Sequence, residues 1–130
     1  MGQFSVIVNV QSLFDPAKTA DVELLVDTGA VYSFVPEAVL DSLGAQRLSQ
    51  QGFRPFDLAQ DRLADGRTVS RCIGVVYFSL QGRRAPVQVV FAEANDLGLL
   101  GAVALEVLGF AIDPIDRRLI PKDLLAAKGI

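Results

Sequence analysis

Val22-Glu23-Leu24-Leu25-Val26-Asp27-Thr28-Gly29-Ala30 is the stretch on which the reading of this chain turns. Val22 to Val26 is a β-prone, mostly apolar run, and it delivers the chain directly into a carboxylate followed by turn residues. An acid at the end of a buried strand is costly unless something stabilises it or uses it. Asp-Thr-Gly by itself also reads as a plain turn after a strand, so the surrounding pattern has to decide.

Upstream, Phe4, Val6, Val8 and Val10 alternate with Ser5, Ile7 and Asn9, a strand pattern with one imperfect face. Phe14-Asp15-Pro16-Ala17-Lys18 then supplies turn chemistry. Downstream, Val31 to Val35 leads to Pro36, expected in a first helical turn, with Val39, Leu40 and Leu43 on one face and Gly44 as the stop. Residues Ala45 to Asp61 read as loop with short strand pieces. Asp65-Gly66 marks a hairpin tip, Thr68 to Leu80 a long strand, Gln81-Gly82-Arg83-Arg84 the next turn, and Ala85 to Phe91 the returning strand. Ala102 to Leu108 reads as a short helix stopped by Gly109, and Phe110 to Asp113 pairs with Arg118 to Ile120 across a turn. The tail from Pro121 is compatible with helix or fraying.

An internal echo runs through this pattern. Leu25-Val26-Asp27-Thr28-Gly29-Ala30 leads through a helix to Leu43-Gly44, and Gly98-Leu99-Leu100-Gly101-Ala102 leads through a helix to Leu108-Gly109. Aligned in this way, Leu99 takes the place of Asp27, and the second half carries no acid there.

Composition narrows the chemistry. The 130 residues contain no histidine and one cysteine, Cys72. Serine–histidine and cysteine–histidine catalysis, histidine-ligated zinc, a disulfide framework and thiolate clusters are thereby excluded. Cys72 is expected to be a small buried residue in a strand. Hydrolytic chemistry has to rest on carboxylates, hydroxyls or lysine. A net charge of −3 without a basic cluster argues against nucleic acid as a partner. No apolar run, Leu97 to Leu105 included, approaches the roughly 18 residues that span a bilayer, so no membrane partner is expected. The opening Met1-Gly2-Gln3-Phe4-Ser5-Val6 has neither a basic n-region nor a myristoylation pattern, and a cytoplasmic location is expected. Hydrophobic residues make up 51% of the chain without counting glycine, where about 45–50% is usual with it. Such a chain is expected to cover part of its surface with a partner subunit.

Taken in order, these motifs resemble the retropepsin-like aspartic proteases over most of the chain: the apolar strand with Asp27-Thr28-Gly29-Ala30, the hairpin at Asp65-Gly66, the turn at Gln81-Gly82, and Gly98-Leu99-Leu100-Gly101 before a helix and a last strand. The resemblance implies an all-β fold, a closed acid-protease barrel with one or two short helices, and one domain spanning residues 1–130. It implies an aspartic endopeptidase acting on protein or peptide substrates with no metal and no cofactor. Such chemistry uses two carboxylates that share one proton across a water, giving a bell-shaped pH profile. One Asp-Thr-Gly per chain then implies a homodimer in which each subunit contributes Asp27.

Within that resemblance Thr28 would lock the two loops together, Gly29 would point its N–H at the carboxylate, and Ala30 would border the substrate. Ala64, Asp65 and Gly66 would form the flap. Two departures stand out. Asp65 sits where retroviral flaps are rich in glycine and isoleucine. Val31 and Ala102 occupy the places of a supporting Asp–Arg pair, a joint loss that can be neutral where losing one partner would not be. The remaining acids Asp57, Asp61, Asp96, Asp113 and Asp116 read as turn residues, and Arg83-Arg84 and Arg117-Arg118 as solvated hairpin charges. Two other functions suit the same residues: a catalytically silent peptide-binding or dimerisation module of the same fold, and an unrelated small β-barrel with Asp-Thr-Gly as a turn.

Overall fold

The computed structural model describes residues 3–53 and 68–123. Strand β1 (Ser5–Gln11) pairs antiparallel with β2 (Thr19–Val26), from Ser5 opposite Leu25 to Gln11 opposite Thr19. The chain then runs through the Asp27 turn into β3 (Ser33–Pro36), helix α1 (Glu37–Ser42) and β4 (Ser49–Phe53). A long hairpin follows, β5 (Val69–Leu80) with β6 (Arg83–Ala92), and then β7 (Leu99–Leu100), α2 (Ala102–Leu108), β8 (Phe110–Asp113) and β9 (Arg118–Pro121). The fold is all-β, as expected, and the described residues include two short helices, α1 and α2.

Strands β1 to β7 form one sheet in the order β1-β2-β7-β3-β6-β5-β4. A further pairing of Asn9–Gln11 with Tyr77–Ser79 joins β1 to β5, so six strands close into a ring and β4 lies outside it. Strands β8 and β9 make a separate two-stranded sheet. Val8, Val10, Leu24, Val35, Leu40, Phe78, Phe91 and Leu100 fill the main core, and each is at most 2% exposed. A second cluster of Phe34, Phe53, Ile73, Val90 and Leu99 packs beside it. The alternating strands bury one face against the core, the simplest outcome for a period-two pattern.

Local chemistry accounts for the ends of the elements. Gln81 and Gly82 both have positive φ, 50° and 79°, the pair of conformations that lets a two-residue turn follow the strand twist. Gly44 and Gly109 also have positive φ and end α1 and α2, where glycine meets no Cβ penalty. Pro36 differs from expectation. It pairs with Ala92 as the last residue of β3 and serves as N-cap with ψ 131°, so the helix begins one residue later. Cys72 is in a strand as expected but is half-buried, since it sits on the face of β5 that looks toward Gln50 of β4. Arg83 and Arg84 are not simply solvated. Arg83 pairs with Asp123 and donates to the Leu108 carbonyl, and the Arg84 guanidinium lies 3.7 Å from the Tyr77 ring centre.

The echo takes a different form in space. Hairpin β1–β2 corresponds to β5–β6, and the parallel pair β2·β7 corresponds to β6·β3. Phe34 pairs with Leu99 where β3 meets β7. The same constant separation relates the helix starts Glu37 and Ala102 and the glycines Gly44 and Gly109. On this correspondence β7 matches β3, not β2. The counterpart of Asp27 is therefore Ala92 rather than Leu99, and the absence of an acid at that position holds.

Candidate functional site

Asp27 leaves β2 as a half-buried residue whose backbone is hydrogen-bonded on both sides of its Cα. Its N–H donates to the Leu100 carbonyl at 3.0 Å, and its carbonyl accepts from the Ala30 N–H at 3.2 Å. The Gly29 N–H donates to Asp27 Oδ1 at 2.9 Å. A Cβ at position 29 would stand 3.1 Å from that oxygen, so a glycine there leaves the carboxylate its place. The expected contact between Gly29 and the acid is present. Thr28 is exposed at the tip of the turn, and Ala30 is half-buried behind it.

The turn rests on a platform formed by β7 and the start of α2. Leu25 and Val26 pair in parallel with Leu99 and Leu100. The Ala102 N–H donates to the Ala30 carbonyl at 2.7 Å, and the Val103 N–H to the Val31 carbonyl at 3.3 Å. The buried Ser33 hydroxyl accepts from the Gly101 N–H at 2.9 Å. Val31 and Ala102, where the resemblance would place an ion pair, therefore meet through backbone hydrogen bonds between neighbouring residues and carry no charge.

Asp27 borders two concavities. One, of about 410 Å³, is lined by Asp27, Gly29, Ala30, Val31, Tyr32, Phe34, Gln51, Gly52 and Phe53. Its wall is aromatic: Phe53 meets the Tyr32 and Phe34 rings edge-on at 5.8 and 5.5 Å. The Tyr32 hydroxyl donates to Gln51 Oε1 at 3.0 Å, bridging the β2–β3 connection to β4. The other concavity, of about 520 Å³, lies between Gln3, Phe4, Asp27 and Thr28 on one side and Ile112, Pro114, Ile115 and Arg117 on the other. Asp27 is, among the described residues, the single acidic residue in either lining. Among the described residues no group of histidine, cysteine and acidic side chains could hold a metal ion.

The structure thus brings Asp27, Thr28, Gly29 and Ala30 together in one turn. Ala64, Asp65 and Gly66 lie outside the described residues, as do Asp57 and Asp61. Residues that the sequence did not single out are Tyr32, Gln51 and Phe53 in the cleft and Ser33 beneath it. Their side chains meet only when β4 comes alongside the β2–β3 connection. Asp113 behaves as read: its carboxylate caps a turn by accepting from the Ile115 and Asp116 N–H groups. Asp96 does more. It accepts from the Glu93 N–H within its turn, and it also forms a buried two-point pair with Arg71.

The fold is shared with a solved retroviral enzyme. An EIAV protease, solved in complex with the inhibitor HBY-793, superposes with a TM-score of 0.56 over 82% of this chain and 88% of its own, at 20% identity. No curated protein matches the sequence. A family model described as aspartyl protease matches residues 15–104, from the β1–β2 turn through the Asp27 loop to α2. With the retropepsin fold and its Asp-Thr-Gly turn in place, the chain belongs to the aspartyl protease family.

Proposed function

We propose that this protein is an aspartic endopeptidase whose active unit is a homodimer, with one Asp27 carboxylate from each subunit facing the other across a shared water. The observation that carries this reading is the half-buried Asp27, one oxygen of which is held by the Gly29 N–H, at the junction of two concavities whose described lining holds no other acid. One carboxylate cannot serve as both base and acid in the same step. In the two-fold arrangement the ionised Asp27 takes a proton from water as its oxygen attacks the scissile carbonyl carbon. The protonated Asp27 of the second copy gives a hydrogen bond, then a proton, to the carbonyl oxygen. Collapse of the resulting gem-diol returns one hydroxyl proton to the second copy's carboxylate and expels the amine, which takes its proton from the acid formed in the first step.

The cleft walled by Tyr32, Phe34 and Phe53 is the place for an extended peptide beside the reacting water, with Ala30 and Gly29 along its path. The concavity on the other side of Thr28 faces the second copy in this reading, and residues 1–130 act as one domain. Asp27→Asn tests the assignment. Turnover of a peptide library is expected to fall by about 10²–10⁴-fold, while sedimentation still reports a dimer. A wild-type protein that dimerises yet cleaves no peptide at any pH would identify the chain as a silent binding module. A strict monomer at high concentration would remove the dyad altogether.

A further inference from the structure

We infer that the buried Arg71–Asp96 pair positions the Asp27 turn from behind, by holding in register the β7 segment on which that turn rests; the inference builds on the protease reading above. The pair has close to ideal geometry. Arg71 Nε donates to Asp96 Oδ2 at 2.7 Å and Nη2 to Oδ1 at 3.1 Å, while Nη1 donates to the Ser70 carbonyl at 2.9 Å. The Asp96 side chain is fully buried and that of Arg71 is 8% exposed. Asp96 Oδ2 also accepts from the Glu93 N–H at 2.8 Å, the Asp96 N–H donates to the Glu93 carbonyl at 2.9 Å, and the Glu93 carboxylate lies 3.5 Å from Arg71 Nη1.

A buried ion pair is a weak source of stability, because desolvation offsets most of the attraction; fixing one arrangement among several is its better-attested role. What this pair fixes is the turn between β6 and β7. Strand β7 is two residues long, so its own ladder is short and its placement depends on what enters and leaves it. From this segment the Gly98 carbonyl accepts from the Leu25 N–H at 3.0 Å and the Leu100 carbonyl from the Asp27 N–H at 3.0 Å. The Ala102 N–H holds the Ala30 carbonyl on the far side of the same turn. Both ends of the Asp27 turn therefore hang on residues 98–102, and Arg71 clamps the entry to that segment.

The internal symmetry gives a second, independent argument. On the strand correspondence described above, the counterpart of Val31 is Asp96. The charged support that is absent beside the Asp27 turn is present on the matching turn of the other half, where it steadies the same platform.

Asp96→Asn and Arg71→Lys test the inference, with the paired Arg71→Met/Asp96→Leu change in reserve should a single variant fail to fold. Two quantities are measured: kcat and KM on a cleaved peptide, and residue-resolved amide exchange. A small displacement of a reacting group is expected to lower kcat roughly ten- to hundredfold with KM within about twofold. Amide exchange at Leu25 and Asp27 should accelerate while Val76 and Phe78 in the β5–β6 hairpin stay protected. Arg71→Lys keeps the charge but not the fork, and it should fall between Asp96→Asn and the wild type. The paired change should fold and keep the kcat loss. Wild-type kcat in all variants, a loss carried by KM alone, or acceleration spread equally over every strand would overturn the inference. If the wild type cleaves nothing, the protease reading fails. Exchange at Leu25 and Asp27 then decides the positioning role by itself, and unchanged exchange there overturns it.

Discussion

At Gly101 the backbone passes so close to the Asp27 turn that an added Cβ would lie 2.8 Å from the Ala30 carbonyl oxygen and 2.7 Å from the Tyr32 carbonyl carbon. Both neighbours are main chain and cannot swing aside as a flexible side chain would. Gly101→Ala is therefore expected to destabilise by about 1–3 kcal/mol, read as a lower urea midpoint. Turnover should fall further than the stability loss explains, because the clash pushes on the turn that carries Asp27. Gly82 is a useful control, since a Cβ there meets nothing within 4 Å and the glycine is required by its φ of +79° alone. The glycine of the Gly98-Leu99-Leu100-Gly101 run was visible as a motif from the start. That it is needed for close approach rather than for a turn follows from the packing, because its N–H meets Ser33 at the start of β3 and the Cβ it lacks would meet the β2–β3 connection.

Among the elements, the β8–β9 hairpin shows how turn chemistry becomes pH dependence. The Asp116 N–H, together with the Ile115 N–H and the Arg118 guanidinium, holds the Asp113 carboxyl below the ordinary aspartate value. Arg47 does the same to Asp41 at the end of α1, chiefly through its side-chain hydrogen bond. A carboxyl whose pKa is lower in the folded state than in the unfolded chain stabilises above the unfolded value and loses that contribution as pH falls through the folded one. The melting temperature should therefore decline as pH drops below roughly 4. Asp113→Asn should lower stability at neutral pH and flatten that decline, which thermal scans across pH would check. Asp41 is exposed and Asp113 half-buried at the surface, so the effect is expected to be small and to weaken in salt.

For the whole molecule, the exposed apolar residues become informative. Ile115 is 88% exposed at the rim of the concavity that also contains Asp27 and Thr28. Val31, Val103 and Val107 are about half exposed or more. Among the described residues no helix is long and apolar enough to cross a membrane. If catalysis needs two copies of Asp27, specific activity must fall on dilution through the dimer dissociation constant, whereas a self-sufficient monomer would hold it constant. Activity measured over a wide range of enzyme concentrations, alongside sedimentation, would check this. Ile115→Asp should shift the fall to higher concentration without altering the fold, since the side chain is exposed in the single chain.

What was legible in the sequence is what short-range physics governs. The alternation of Phe4 to Val10, the helix ends at Gly44 and Gly109, the Gln81-Gly82 turn and the strand running into Asp27-Thr28-Gly29 all follow from backbone sterics and periodicity within a few residues. The lack of histidine confined hydrolytic chemistry to carboxylates, hydroxyls or lysine. The tertiary structure alone decided which strands lie side by side. It replaced Leu99 with Ala92 as the counterpart of Asp27, brought Tyr32, Phe53 and Gln51 to one cleft, and turned Asp96 from a turn residue into the buried partner of an arginine 25 positions away. Contacts of that reach depend on how the ring of strands closes, and closure is set by packing of the whole core rather than by any local stretch of residues.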